Sequence, residues 1–439
     1  MLVSNTENAA VAAAHSVNPD RWWTGFGEVR DRIAARFTRH EPRRHAASLM
    51  LGLMADLGRK NCWSIAEHRG DRTPHGLQHL LSRAVWDADS VRDDLRGYVA
   101  DHLGHHDAVL VVDETGDLKR GDQTVGVQRQ YTGTAGRVEN AQVAVYLAYA
   151  APAGHTLIDR ALYLPQGWVD DPDRCATAGI PTDVGFATKP ALATGMITAA
   201  LDAGMPASWV AGDEVYGADP TLRSTLEDRE VGYVLAVASN RRIPVGKGWR
   251  RVDDLTACLP PWSWQRLSAG IGAHGLRMYS WACLTIPTQS GHRWVLVRRN
   301  DSTDELAYYL TYSPHPVPLR TLVRVAGQRW RVEESFQTGK GLTGLDEHQV
   351  RRWTSWHRWV TLAMLAHAFL TVITAAERTT IPTPEGMIPI TVNEQRRLID
   401  FLILRPHRSL DRLLHWSTWR RRHQARARLC HYRRRDESP

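Results

Sequence analysis

Two apolar segments of the chain end in the same way, and this shared ending restricts the fold more than any other feature. The run Val-Leu-Val-Val leads into Asp113, a glutamate and a glycine-bearing turn, and the run Trp-Val-Ala-Gly leads into Asp213, a glutamate and a second such turn. Both runs have the length of a buried strand. Helical segments at Pro190–Ala203 and Pro220–Arg229 flank the second run. Because alternating strands and helices are typical of an α/β sheet, we predict an α/β fold.

The two aspartates are candidate catalytic residues because of the place that such a sheet gives them. Ligands of an open α/β sheet bind outside the carboxyl ends of its strands. Asp113 and Asp213 would therefore face one crevice if their strands are neighbours. A single aspartate at a strand end is more often a turn or helix-capping residue, but two aspartates with the same placement favour a shared site.

A single helix is predicted over Leu319–Thr338. A third acidic residue stands out in the segment Arg329-Trp-Arg-Val-Glu333-Glu-Ser-Phe-Gln-Thr-Gly-Lys340. At about 100° per helical residue, Arg329, Glu333 and Lys340 lie within about 40° of one another on one helix face. That face would carry a cation, a carboxylate and a second cation. The alternative is a surface ion pair between Arg329 and Glu333, which stabilises a helix by only a few tenths of a kcal/mol, roughly.

Three carboxylates in one pocket predict a metal site. They repel one another and their pKa values rise unless a cation neutralises them. Oxygen ligands suit Mg²⁺ or Mn²⁺, and two such ions about 3.5–4 Å apart can activate a water or a 3′-hydroxyl and stabilise the leaving oxygen of a phosphodiester. We predict that Asp113, Asp213 and Glu333 are catalytic and hold two ions, while Arg329 and Lys340 bind DNA phosphates.

Three acidic residues neighbour the predicted ligands, namely Glu114, Asp117 and Glu214. They either support the ligands or are merely solvated, and we expect them to be solvated.

These motifs, in this order, resemble those of bacterial insertion-sequence transposases of the DDE superfamily, whose catalytic core is RNase H-like. Branches of that superfamily carry the helix motif Tyr-x2-Arg-x3-Glu-x6-Lys. Arg329, Glu333 and Lys340 keep both spacings, and Ala326 stands at the tyrosine position. The resemblance implies cleavage at terminal inverted repeats, followed by attack of the exposed 3′-hydroxyls on target DNA. It also implies a β-rich insertion between the second aspartate and the glutamate.

The positive charge of the chain is concentrated near its C-terminus. The stretch from Trp416 to Arg435 contains eight arginines and no acidic residue, which equals the formal net charge of +8 of the whole chain. A local basic patch favours a polyanionic partner such as nucleic acid, although a solvated tail is the alternative. The predicted DNA-binding residues of this stretch are Arg420, Arg421, Arg422, Arg426 and Arg428.

A second candidate DNA-binding feature lies near the N-terminus. Ser64–Arg69 and Pro74–Trp86 have helical character and are separated by Gly-Asp-Arg-Thr, so they resemble a helix-turn-helix. Thr73 would cap the second helix and Pro74 would be its first residue. A DNA-reading motif and an ordinary turn in a helical bundle both fit this pattern.

The chain is predicted to divide into six segments. They are a loose tail (1–20), a helical N-terminal region (21–105), the first part of the RNase H-like core (106–237), a β-rich insertion (238–310), the second part of the core with the Glu333 helix (311–378), and a linker, amphipathic helix and arginine-rich tail (379–439). Within the insertion, Trp262 or Trp264 either stacks on an unpaired base or belongs to a core.

Cysteine use and hydropathy favour the cytoplasm. The five cysteines are scattered without a CxxC pair, so neither a zinc site nor a disulfide framework is expected. The most apolar segment, Val360–Ala376, has 17 residues, whereas a membrane-spanning helix needs about 20. We predict a buried core helix, no membrane association, and a bacterial cytoplasmic protein associated with the nucleoid.

The combined prediction is a transposase that binds double-stranded DNA at the transposon ends and at the target. A homodimer is expected in the DNA complex, because joining two ends requires at least two active sites. One alternative is an RNase H-like DNA endonuclease that cuts without joining. Another is a DNA-binding protein whose catalytic centre has decayed, which the intact set of Asp113, Asp213 and Glu333 disfavours.

Overall fold

The computed structural model describes residues 18–245, 248–272, 275–287, 291–380, 383, 385, 387–404 and 409–436. Residues 1–17 of the predicted loose tail and parts of the predicted linker lie outside the described residues.

The N-terminal region is helical. Its helices are α1 (Pro19–Arg32), α2 (His40–Met54), α3 (Cys62–Arg69), α4 (His75–Ser82) and α5 (Ala88–Leu103). The side chain of Asn61 caps α3 by accepting from the backbone N–H groups of Trp63 and Ser64, and Gly70 ends the helix with a positive φ of 85°. Helix α4 follows after this turn. Its N-cap is Pro74 rather than the predicted Thr73, so the helix starts one residue later than expected.

Within the described residues, ten strands form one mixed sheet and two more form a separate hairpin. The strands are β1 (Val109–Leu118), β2 (Gln128–Thr132), β3 (Arg137–Ala151), β4 (Gly154–Leu162), β5 (Trp209–Gly212), β6 (Gly232–Val237), β7 (Arg242–Val245), β8 (Gly248–Arg251), β9 (Gln265–Gly272), β10 (Gly275–Ile286), β11 (His292–Arg299) and β12 (Leu306–Ser313).

The first half of the sheet has the strand order β4-β3-β1-β5-β6. Strand β3 is antiparallel to both β1 and β4, whereas β1, β5 and β6 are parallel. This order and these directions are those of an RNase H-like core, which confirms the predicted fold class. The apolar run Val109–Val112 is fully buried at the centre of this sheet, as continuous apolar strands of parallel sheets generally are.

The strands of residues 238–310 do not form a layer of their own. Strand β12 pairs antiparallel with β6, and β11, β10 and β9 follow in order, so they extend the core sheet. Only β7 and β8, among the strands that the structure describes, pair outside the main sheet. The predicted β-rich stretch is thus mostly a continuation of the sheet that carries Asp113 and Asp213.

Helices cover the sheet and complete the chain. They are α6 (Gln166–Val169), α7 (Pro172–Ala178), α8 (Lys189–Asp202), α9 (Glu214–Gly217), α10 (Pro220–Asp228), α11 (Val252–Ala257), α12 (Leu319–Gln328), α13 (Trp330–Thr343), α14 (Trp353–Thr380), α15 (Val392–Ile399) and α16 (Leu410–Asp436).

Helix α14 is the centre of the helical packing. It contacts β4, α2 and α5 at once, and its residues from Val360 to Ala366 are completely buried. By length and composition it is the one helix of the described chain that could cross a membrane, but 94% of its apolar window is buried inside the protein. The prediction of a buried core helix is therefore confirmed.

The predicted arginine-rich tail is the long helix α16, and its first half is docked on the N-terminal region. Trp416 is completely buried, and its indole N–H donates to the carbonyl of Asp71 over 3.1 Å. Trp419 packs edge-on against Trp63 with a ring separation of 4.7 Å. Two tryptophans therefore hold the basic helix against α3 and the turn before α4.

Candidate active site

The two aspartates of the repeated motif lie side by side. The parallel pairing of β1 with β5 ends at Val112 and Gly212, and the next residues are Asp113 and Asp213. Equal register on parallel neighbours brings the two carboxylates to the same edge. The pairing of β1 with β3 continues to Leu118, so Asp113 lies in the middle of a longer strand. The expectation that Asp113 ends its strand is wrong for this reason.

The turn after Asp213 is determined by the glycine of its motif. The Asp213 carboxylate accepts from the backbone N–H of Val215 at 2.9 Å and caps the short helix α9. Helix α9 ends at Gly217, where a Cβ would collide with the carbonyl oxygen of Ala236 on β6. Because only glycine permits this close approach, the sequence Asp-Glu-Val-Tyr-Gly holds α9 against the sheet and Asp213 at its edge.

Glu333 reaches the same edge from the opposite part of the chain. The predicted single helix 319–338 is interrupted at Arg329, where α12 ends and α13 begins. The Arg329 guanidinium contacts an Asp113 carboxylate oxygen at 3.3 Å and a Glu333 carboxylate oxygen at 3.3 Å. One cation thus links the first and third carboxylates, and the alternative of an isolated surface ion pair does not describe this arrangement.

Lys340 faces the same strand but has protein partners. Its ammonium donates to the Thr115 hydroxyl at 2.9 Å and to Asp117 at 3.4 Å. The predicted common face of Arg329, Glu333 and Lys340 therefore points at β1. In this arrangement Lys340 ties α13 to β1, and only a shift of its side chain would let it reach a DNA phosphate.

The electrostatics of the aspartate pair favour binding of a cation. Burial, followed by the charge of Asp213, raises the pKa of Asp113 to about 7, although Arg329 opposes the rise. Burial and then the charge of Glu114 raise the pKa of Asp213. Both shifts mean that the folded protein resists placing two negative charges here. A divalent ion would remove that cost, and carboxylate oxygens are the ligands that Mg²⁺ and Mn²⁺ prefer, so the donor set fits such ions.

A different group of side chains also lies close enough together to hold a metal ion. The ligand atoms of His105, His106 and Asp107 all lie within 4.8 Å of one another. These residues form the turn before β1, and Asp107 is also contacted by Arg324 at 3.3 Å. Exposed clusters of this kind are common in proteins without a metal. The Arg329 guanidinium, by contrast, contacts the carboxylates of both Asp113 and Glu333.

Two acidic neighbours of the site have structural partners that the sequence did not reveal. Glu114 points away from Asp113, as alternation along a strand requires, and receives hydrogen bonds from Lys189 and Tyr216, each at 2.6 Å. The expectation that Glu114 is merely solvated is therefore wrong. Adjacent residues of a strand point to opposite faces of the sheet, and this alternation could have predicted that Glu114 lies on the face opposite Asp113. Glu214, by contrast, is exposed.

Asp117 is the second such neighbour. Burial disfavours its charge, but the hydrogen bond with His348 and the charges of Lys119 and Lys340 lower the pKa of Asp117 to about 2. The distances from its carboxylate are 3.2 Å to His348 and 3.4 Å to Lys340. Asp117 is therefore an ionised, half-buried partner of Lys340, and the expectation that it is solvated is wrong as well.

The predicted DNA-binding arginines of the tail differ in their surroundings. Arg420 forms a close ion pair with Glu67 of α3, so it holds α16 in place. The other four, Arg421, Arg422, Arg426 and Arg428, are exposed along α16.

Comparison with known proteins matches two family models to the chain. The model described as DDE superfamily endonuclease matches residues 32–248, and the model described as transposase DDE domain matches residues 187–369. Asp113 lies in the first match, Glu333 in the second and Asp213 in both.

Individual relatives carry related descriptions. A probable transposase for insertion sequence element IS701 from Microchaete diplosiphon is 29% identical over 199 residues, which are 45% of this chain and 49% of the relative. The aligned part of the chain thus spans about half the length of that relative. Among solved structures, the piggyBac transposase in a synaptic complex with hairpin DNA superimposes with a TM-score of 0.42 and 12% identity, covering 84% of this chain and 71% of the other.

Proposed function

The chain belongs to the DDE superfamily of transposases and endonucleases, and from this premise we propose that it is the transposase of an insertion sequence. It would bind the terminal inverted repeats of that element, cut the DNA there, and join the exposed 3′-ends to target DNA by transesterification. The observation that carries the proposal is the register that sets Asp113 beside Asp213, with Glu333 joined to Asp113 through Arg329.

The three carboxylates are the proposed ligands of two divalent ions. When bound, Mg²⁺ or Mn²⁺ supplies the positive charge that activates a water or 3′-hydroxyl and stabilises the leaving oxygen of a phosphodiester. The protein contributes the positions of Asp113 and Asp213, which a central sheet holds rigidly. Arg329 is 26% exposed at its side chain, which leaves its guanidinium accessible to a phosphate beside the carboxylates.

Double-stranded DNA is the proposed partner, and helices α4 and α16 supply the surfaces for it. Because Trp416 and Trp419 dock α16 against α3, the arginines of α16 and the second helix of the turn motif belong to one assembly. His75, Gln78 and His79 are exposed on α4 and offer hydrogen-bonding groups for base edges. The arginines Arg421, Arg422 and Arg426 would contact phosphates and set affinity rather than sequence preference.

The remaining parts of the proposal follow from the reaction. Joining two transposon ends requires two active sites, so a homodimer on DNA is proposed. The substrate is chromosomal DNA, which in a bacterium lies in the cytoplasmic nucleoid. An endonuclease that cuts without joining is the alternative with the same site, and its distinction from a transposase depends on the second step alone.

The proposal is tested by supplying purified protein with Mg²⁺ or Mn²⁺, DNA carrying the ends of the element, and a target plasmid. We expect cut ends and, later, joined products. Asp213→Asn should abolish both but leave DNA binding intact, whereas Glu214→Gln, at the exposed neighbouring carboxylate, should cut normally. Cutting without joining would favour the endonuclease, and binding without cutting by the unchanged protein would favour a decayed catalytic centre.

A further inference from the structure

A cavity of about 300 Å³ lies on a part of the surface that the proposed reaction does not use. Its walls come from α10, from the β7–β8 hairpin and from the adjoining strands. The lining includes Arg223, Glu227, Tyr233, Arg241, Arg242, Trp249 and Arg293. The strand register places the cavity on one face of the sheet. Leu235 pairs with Gly212, which pairs with Val112, so Tyr233, two residues before Leu235, lies on the same face as Val112 and Glu114 and opposite the face of Asp113.

The cavity has more positive than negative charge. The one carboxylate among the described lining residues is that of Glu227. Arg293 donates hydrogen bonds to both of its oxygens, and the hydroxyl of Tyr233 donates to it at 2.7 Å. Among the described residues, no carboxylate forms an ion pair with Arg223, Arg241 or Arg242. Three guanidinium groups of the described lining therefore have no carboxylate paired with them.

Two further details favour a ligand in this cavity. The Nε of Arg241 is buried and has no hydrogen-bond partner in the described part of the chain, and a buried donor without a partner is costly. Trp249 is a large aromatic side chain that remains 67% exposed at the rim. Guanidinium groups bind phosphate through paired N–H donors, and an exposed indole offers a face on which a base can stack.

The cavity is also connected to the turn that carries Asp213. Arg223 donates to the carbonyl of Gly217, and Arg241 donates to the carbonyl of Ala218 at 3.3 Å. These carbonyls lie at the C-terminal end of α9, whose N-terminal end is capped by Asp213. The arginines that line the cavity therefore brace the short helix that positions the second aspartate.

We propose that this arginine cavity binds one nucleotide of a DNA strand, with its phosphate on Arg223, Arg241 and Arg242 and its base on Trp249. This inference rests on the proposed function only for the identification of DNA as the molecule that supplies the phosphate. The bound nucleotide lies on the sheet face opposite the carboxylates, so it belongs to a segment of the strand that is held rather than cut. A strand held there would pass close to the Asp213 turn and would be fixed relative to the aspartate pair.

The test measures binding of a short fluorescent thymidine oligonucleotide to the full chain in EDTA, by anisotropy at several salt concentrations. Arg242→Gln and Arg241→Gln should each weaken binding several-fold and flatten the salt dependence by about 0.7 per lost phosphate contact on a single strand. The matched control is Arg229→Gln, which removes an arginine of the chain segment after α10 that pairs with Asp202 outside the cavity. Unchanged affinity and salt dependence in both cavity variants would overturn the proposal.

Stacking of the base on Trp249 is tested by a separate pair of variants. Trp249→Leu should weaken oligonucleotide binding, and Trp249→Phe should restore most of it because phenylalanine keeps an aromatic face. Inorganic phosphate should displace the oligonucleotide only weakly, and to the same extent from the unchanged protein and from both Trp249 variants, because it has no base to stack. Equal oligonucleotide affinity in all three proteins would overturn stacking on Trp249. These binding measurements do not depend on DNA cutting, so the two proposals can fail separately. If the protein cuts DNA but the cavity variants bind normally, only the proposal for the cavity is wrong. If the cavity variants lose binding but the protein does not cut DNA, only the proposed reaction is wrong.

Arg242 is exposed, so its substitution should leave folding unaffected. The Arg242→Gln variant therefore still tests phosphate binding by the cavity if Arg241→Gln unfolds the β7–β8 hairpin. Circular dichroism and thermal melting of each variant identify such unfolding.

Discussion

Arg329 contacts Asp113 with one terminal nitrogen and Glu333 with the other, each at 3.3 Å. These acidic residues are 220 positions apart in the chain, and a single guanidinium joins them. The same side chain lowers the pKa values of Asp113 and Asp213 against the effect of burial. Arg329 therefore controls the charge of the site as well as its geometry.

Replacement of Arg329 should shift the pH dependence of DNA cutting. Without the guanidinium, the pKa of Asp113 rises above its value of about 7, so the ionised form needed for metal binding appears only at higher pH. Arg329→Gln should cut at least about tenfold more slowly at neutral pH and recover partly at alkaline pH. Arg331→Gln is the matched control, because Arg331 pairs with Glu334 on the same helix. Equal pH profiles for the two variants would contradict this role of Arg329.

Asp113 should make the stability of the metal-free protein depend on pH. Below about pH 4 the carboxyl is protonated in both folded and unfolded chains. Between pH 4 and 7 the unfolded chain ionises while the folded chain keeps its proton, so stability falls as pH rises. The total loss is roughly 4 kcal/mol for a shift from 3.8 to about 7. Asp113→Asn should remove this slope in urea unfolding measured in EDTA, and a slope that persists in the variant would assign it to other groups.

Much of the core could be predicted because its signals are local. Apolar runs before Asp113 and Asp213 identify buried strands, and the helical spacing of Arg329, Glu333 and Lys340 correctly predicts one face. The features that were missed depend on distant partners. Strand β1 continues beyond Asp113 only because β3 pairs with it up to Leu118.

Other misses have the same origin. The break between α12 and α13 falls at Arg329, two residues after Gly327, and it coincides with the contacts of Arg329 to Asp113 and Glu333. The close ion pair of Arg420 with Glu67 joins residues from opposite ends of the chain. Sequence spacing alone contains no information about such pairs.

Divalent ions should stabilise the folded protein, and this effect should depend on the carboxylates. At pH 8 Asp113 is largely ionised, since its pKa is about 7, and a bound cation relieves the repulsion from Asp213. Mg²⁺ or Mn²⁺ should raise the Tm of the unchanged protein by several degrees in differential scanning fluorimetry. Asp113→Asn and Asp213→Asn should abolish this rise, and Glu214→Gln should retain it. A rise that survives both asparagine substitutions would place the ion elsewhere, with His105, His106 and Asp107 as the next candidates.

Docking of α16 should be required for tight DNA binding. Trp416 is completely buried against the turn before α4, and truncation of a buried tryptophan to alanine generally costs about 3–5 kcal/mol. That loss exceeds what a partly exposed ion pair such as Arg420 with Glu67 contributes, which is about 0–1 kcal/mol. Trp416→Ala should therefore release α16 while the sheet stays folded.

In the Trp416→Ala variant, hydrogen exchange should become fast in residues 410–430, and affinity for duplex DNA should fall together with its salt dependence. Leu414→Ala, at a position 55% exposed on the same helix, should change neither. If α16 stays protected in Trp416→Ala, the indole does not hold the helix; if α16 is released but DNA affinity is unchanged, the arginines act without being docked.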